Sequence, residues 1–153
     1  MARAPRKYVL DTHLFIHAFR DVAANEALRR FHEIGAPFEY LSAVVAQELR
    51  SGIRSIEDRR LLERYVLDVF ERVGRVIVPS VDAWHRSGDL LAALARDEGL
   101  DVSRVSKAFG NDVLLALSCR EAGCVLVTAN ARDFGRIRRH VAFEFVAPWP
   151  GQA

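Results

Sequence analysis

Four acids sit at the edges of apolar segments in this chain. Asp11 follows the run Tyr8-Val9-Leu10, Glu48 lies within LSAVVAQELRSG, Asp112 precedes VLLALSC, and Asp133 closes the turn TANARD after CVLV. Hydroxyl and amide groups accompany them: Thr12 beside Asp11, and Thr128 and Asn130 just ahead of Asp133. Carboxylates gathered in one place repel and raise one another's pKa values. A divalent cation among them makes the arrangement favourable, and an oxygen-only donor set suits Mg2+ or Mn2+. Two such ions about 4 Å apart can activate a water and stabilise the leaving oxygen in phosphodiester hydrolysis.

Each acid also has a purely structural reading. Asp11 lies between a strand and a helix, where an acid is often an N-cap. Asp112 has the position of a first-turn acid that favours the helix dipole. Asn130 and Asp133 are turn formers, and a helical Glu such as Glu48 is commonplace. His13 and His17, four apart on one helix, read as a surface or groove-lining pair more readily than as metal ligands. Ser42 has no evident base partner and reads as a helix cap.

What decides between these readings is whether the elements bring the acids together. The pattern predicts a strand over Tyr8–Leu10, then helical spacing at Leu14, Phe15, Ala18 and Phe19. A helix over about Asn25–Ile34 is stopped by Gly35 and Pro37. A strand over Phe38–Leu41 is followed by a helix over Ala43–Ser51, capped by Ser42 and closed by Gly52. Ser55 with Asp58 resembles a capping box. It opens a long amphipathic helix to Val73 with Leu61, Leu62, Tyr65, Val66, Val69 and Phe70 along one side. A strand over Val76–Val78, a helix over Val81–Glu98 and a polar loop over Asp101–Gly110 come next. The helix predicted to open on Asp112 is apolar almost all round, as a buried helix must be. Gly123 ends it, Cys124–Val127 reads as a strand covered on both faces, and a short helix around Gly135–Arg139 leads to a last strand over Phe143–Val146.

Short apolar strands alternating with helices predict an α/β domain with a five-stranded, mostly parallel sheet flanked by helices. In such folds the functional crevice lies beyond the carboxyl ends of the strands. Asp11 is at the end of the first strand, and Thr128, Asn130 and Asp133 lie beyond the end of the fourth. A helix antiparallel to the strands begins at the same edge, which brings in Asp112, and Glu48 leans in from the helix after strand two.

At 153 residues the chain fits one domain. Residues 1–6 read as a disordered lead, 7–147 as the domain and 148–153 as a loose tail. A net charge of +2 means the chain as a whole is not a polycation, and all its basic residues but Lys7 and Lys107 are arginines. Cys119 and Cys124 make neither a disulfide framework nor a four-ligand zinc site; they read as reduced core residues of a cytoplasmic protein. The apolar run after the basic N-terminus is broken by Asp11, His13 and His17, so it is not a signal peptide, and no stretch is long enough to span a membrane.

Three segments, YVLDTHLFIH, LSAVVAQELRSG and NDVLLALSCREAGCVLVTANARDF, in this order and spacing, resemble PIN-domain ribonucleases. More narrowly, they resemble the VapC-type toxins of bacterial type II toxin–antitoxin systems. The resemblance runs from about residue 8 to 147, and its most specific part is the turn formed by Thr128, Asn130, Asp133 and Phe134. It implies a PIN domain and Mg2+- or Mn2+-dependent endoribonuclease activity on an RNA substrate. It also implies a cognate antitoxin protein and a toxin homodimer. Asp11, Glu48 and Asp112 match the family's core acids, Asp133 the fourth, with Asn130 an alternative for that place. Thr12 and Thr128 match supporting hydroxyls. By the same resemblance Asp11 and Asp112 hold the metal, and Glu48 and Asp133 act on it directly or through water. Arg104 and Lys107, in the loop before Asp112, are candidates for gripping RNA.

Two other readings compete. One is a catalytically silent PIN module that binds RNA or a protein partner; the presence of all four acids argues against it. The other is a phosphoaspartate receiver or phosphohydrolase, which needs a lysine late in the fold, and none follows Lys107.

Overall fold

The computed structural model describes residues 4–151. The expectations for Met1–Arg3 and for Gln152–Ala153 therefore lie outside the described residues. Five short strands form one sheet: β1 (Lys7–Leu10), β2 (Glu39–Ser42), β3 (Val76–Ile77), β4 (Cys124–Val127) and β5 (Phe145–Val146). Their order is β3-β2-β1-β4-β5, and every neighbouring pair is parallel. The central strand β1 sets Val9 beside Tyr40 on one side and Leu126 on the other. The chain moves outward from β1 in one direction and later in the other. The carboxyl ends of β1 and β4 therefore form the point where strand order reverses, the place where a parallel sheet opens a crevice.

The helices are α1 (Thr12–Arg20), α2 (Val22–Gly35), α3 (Ala43–Ser51), α4 (Ile56–Leu62), α5 (Asp68–Glu71), α6 (Val81–Glu98), α7 (Lys107–Ala122) and α8 (Ala131–Arg138). Their starts follow from capping side chains. Ser42 Oγ accepts from Val44 N at 3.1 Å, and Ser55 Oγ from Asp58 N at 3.1 Å. Gly123 ends α7 at φ 66°, a left-handed conformation open to glycine at little cost, and turns the chain straight into β4.

Two expectations need correction. First, α7 does not open on Asp112. Ser106 Oγ accepts from Phe109 N at 3.1 Å, so the helix starts at Lys107 and Asp112 lies in its second turn. The loop expected over Asp101–Gly110 shrinks to a tight turn over Val102–Arg104 and a short link. Second, the apolar stripe of the long helix is not one face. A π-helical segment, Glu63–Leu67, joins α4 to α5 and adds a residue to the turn. Leu62, Val66, Leu67 and Phe70 face the core, while Leu61, Tyr65 and Val69 are exposed.

The core is centred on β1, β4 and α7. Val9, Leu10, Leu126 and Val127 are buried, as is every residue from Val113 to Cys119. Helix α7 packs against α3, α6, α8 and β4, which explains a helix apolar on all sides. At the chain's end Trp149 is not loose, since its ring lies 5.2 Å from that of Phe31.

Candidate active site

The crevice at the strand-order reversal is a cavity of about 170 Å3 lined by Asp11, His13, Glu48, Ser106, Ala108, Phe109, Asp112, Asn130 and Asp133. All four acids singled out from the sequence border it.

Asp11 is the most enclosed, at 4% exposure. Its backbone continues the parallel ladder, Asp11 N donating to Val127 O at 3.0 Å. One carboxylate oxygen accepts from Thr12 N at 2.8 Å, which caps α1, and the other accepts from the Thr128 hydroxyl at 2.6 Å. Thr128 thereby ties the ends of β1 and β4 together. Burial raises the Asp11 pKa, and the hydrogen bonds from Thr128 and Thr12 and the nearby His13 oppose that rise.

Glu48 is held from two sides. The Thr12 hydroxyl donates to one of its oxygens, and the Asn111 side-chain amide donates to the other at 3.0 Å. Helices α1, α3 and α7 meet through this one carboxylate. Asn130 and Asp133 form a closed pair at the start of α8. Asp133 N donates to Asn130 Oδ1 at 3.3 Å, and Asn130 Nδ2 donates back to the Asp133 carboxylate at 3.2 Å. Asn130 N in turn donates to Thr128 Oγ1 at 3.0 Å. The capping role and the site role thus coincide, and both Asn130 and Asp133 reach the cavity.

Asp112 differs from the others, because it accepts no hydrogen bond among the described residues. Its pKa is pushed up to about 8, first by burial and then by the charges of Asp11, Glu48 and Asp133. The cavity thus holds more negative charge than its own donors neutralise.

The other predicted residues stand further out. Arg104 is exposed and pairs with Asp101 at 3.4 Å, and Lys107 is exposed in the first turn of α7; neither lines the cavity. His13 borders it and His17 does not. The sequence reading missed Asn111, Ser106 and Phe109. Asn111 adjoins Asp112, and Ser106 is of a favoured N-cap type, the one local sign that the helix begins early enough to carry Phe109.

The sequence matches the PIN domain over residues 8–140. The chain belongs to the PIN-domain family. That family is one of nucleases, so its activity is hydrolysis of nucleic acid. Three solved structures show the same fold. A DNA-bound VapBC from Salmonella typhimurium is 24% identical, covering 94% of this chain and 98% of that one, with a TM-score of 0.69. VapBC2 from Rickettsia felis, bound to a promoter DNA fragment, is 23% identical, covering 93% and 98%, with a TM-score of 0.60. A toxin–antitoxin complex from Klebsiella pneumoniae is 22% identical, covering 94% and 98%, with a TM-score of 0.61. At these identities the likeness carries the fold. Comparison with curated proteins finds no match in sequence.

The chemistry of the lining fits a hard divalent cation: four of its donors are carboxylates, and the charged form of Asp112 is disfavoured by burial and then by the other three. Among the described residues no three acidic, histidine or cysteine side chains are arranged to hold one ion. The carboxylates surround the cavity, with Asp11 and Glu48 each tied back by two hydrogen bonds.

Proposed function

We propose that this PIN domain is a divalent-metal-dependent endoribonuclease of the VapC type, acting as the toxin of a toxin–antitoxin pair. The observation that carries the reading is Asp112: a carboxylate with no hydrogen bond among the described residues, its pKa pushed to about 8 beside three other acids. A structural acid would be expected to have a donor. This one is left for a cation.

In this reading Asp11 and Asp112 hold the metal, Mg2+ or Mn2+, with Glu48 and Asp133 beside it. Asn130 is the alternative for the fourth place. The bound cation would supply a Lewis acid that activates water and stabilises the leaving oxygen of the phosphodiester. The chain's own groups do the positioning. Thr128 and Thr12 fix both oxygens of Asp11, Thr12 and Asn111 fix those of Glu48, and Asn130 fixes Asp133. In this reading water, and no protein side chain, is the nucleophile. Arg104 and Lys107, exposed on either side of the cavity-lining Ser106, are assigned in this reading to the RNA backbone. The toxin role, the antitoxin partner, the homodimer and a cytoplasmic site of action extend what the VapBC and toxin–antitoxin structures support. No helix among the described residues is long and apolar enough to cross a membrane.

A catalytically silent binding module is the second reading, favoured by the missing three-ligand geometry. Cleavage of a structured RNA by the purified chain with Mg2+, Mn2+ or EDTA separates the two. Metal-dependent cleavage that Asp11→Asn and Asp112→Asn abolish supports the nuclease. An intact RNA with either metal overturns it. Growth arrest on expression, relieved by both variants, tests the toxin role.

A further inference from the structure

We infer that Phe109, backed by Arg136, is a stacking platform for an unpaired nucleobase next to the scissile phosphate. This deepens the ribonuclease reading and rests on it. The acids of the cavity act on a phosphate, which is the same in every nucleotide. Something else must hold the adjacent base still. Phe109 is the only aromatic carbocycle in the cavity lining among the described residues. It precedes Asp112 by three residues on α7, so ring and carboxylate share one helix face. Its backbone is fixed by the Ser106 cap at 3.1 Å. The ring is half-buried, packed against the edge of the core while it borders the cavity.

Arg136 supports this platform. Its guanidinium carbon lies 5.5 Å from the Phe109 ring centroid. Its Nε donates to Glu98 at 2.6 Å, and that pairing between α8 and α6 holds it in place. A nucleobase meeting the ring gains a stacking surface, and the paired guanidinium holds that ring from behind. The ring does not select among the four bases, because every base has a π face. Stacking on it requires that the base be free, since a duplex base is already stacked and paired.

The test uses a mixed-sequence pool of single-stranded RNA carrying one central abasic nucleotide, and compares cleavage at bonds beside it with cleavage at bonds elsewhere in the same strand. This ratio does not depend on how much of the protein is folded. The wild type should cut beside the abasic position about tenfold or more below its rate elsewhere. Phe109→Leu, which keeps apolar bulk without a π face, should cut evenly. Phe109→Tyr should restore the wild-type ratio. An unchanged ratio in Phe109→Leu, or no abasic effect in the wild type, overturns the platform while leaving the nuclease intact. If the wild type cuts nothing, the ribonuclease reading falls, and fluorescence of a 2-aminopurine-labelled pool in chelator decides the platform alone. Quenching by the wild type and not by Phe109→Leu sustains it, and equal or absent quenching overturns it.

Discussion

Asp112→Asn should stabilise the metal-free protein, and by an amount that depends on pH. The folded chain holds the Asp112 proton to about pH 8, while the unfolded chain releases it near the ordinary value of 3.8. Between these values the folded state binds more protons than the unfolded state, so stability falls as pH rises through the window and levels off above about 8. The whole displacement, at 1.36 kcal/mol per pH unit, sets a ceiling of roughly 6 kcal/mol. Asp112 is only half-buried and opens on a wet cavity, and screening there reduces the figure to roughly 2–3 kcal/mol. Asp11, Glu48, Asp133 and His13, which line the same cavity, are present in both proteins, so the difference between the two curves reads Asp112.

The measurement is urea unfolding in EDTA from pH 4.5 to 9, followed by circular dichroism. Wild type and Asp112→Asn should have similar stability at the acid end and separate progressively toward pH 8, the variant being the more stable. Mn2+ at high pH should then stabilise the wild type and close the gap, because a cation among the acids removes the repulsion. Parallel curves across the whole range would show that the carboxylate is not strained, and the argument from Asp112 to a cation would lose its basis.

Three further outcomes follow from the same geometry. Thr128→Val keeps the side-chain shape but removes the 2.6 Å bond to Asp11; it should lower stability by about 1.5–3 kcal/mol at neutral pH, read by the urea midpoint. Asn111→Ala frees one oxygen of Glu48 from its 3.0 Å partner. It should reduce kcat for RNA cleavage about tenfold or more with KM little changed, and a shift confined to KM would place Asn111 in substrate binding instead. Arg104→Ala with Lys107→Ala should weaken RNA binding and flatten its dependence on log salt by roughly 1–2 in slope, measured by titration at several salt concentrations; an unchanged slope would remove both residues from the RNA path.

The carboxyl-edge rule carried most of the site from sequence. Asp11, Glu48, Asp112 and Asp133 all border one cavity because a parallel sheet with right-handed crossovers puts strand ends and returning helix starts on the same side. Caps were legible for a similar reason: Ser42 and Ser55 satisfy backbone donors within three residues, a wholly local event. The start of α7 was not legible. Its first turn, Lys107–Gly110, offers only Phe109 as a large apolar residue and ends in glycine, a poor helix former, so it carries no apolar period to read. That error hid Phe109 and Asn111, whose roles depend on lying on the same helix as Asp112. The division of the α4–α5 stripe was hidden too, since an added residue in a π turn rotates every later side chain about the axis.

The placement of Asp112 also explains why α7 is apolar on every side. Ionised Asp112, buried and beside three other acids, costs roughly 2–3 kcal/mol above about pH 8 when no cation is bound. Burying one leucine or valine side chain contributes about 1.5–3 kcal/mol, and α7 buries Val113, Leu114, Leu115 and Leu117 directly behind Asp112. One or two of these suffice to offset the repulsion, so sliding or fraying of the helix to relieve it would cost more than it gains. The surplus has a consequence for function. Relaxation by moving α7 is closed off, and the remaining ways to lower the energy of the site are to keep a proton or to take up a cation. A less apolar helix would give a third way out, by withdrawing the acid from the cavity. The core behind Asp112 is therefore part of what makes the cavity receptive to a divalent ion.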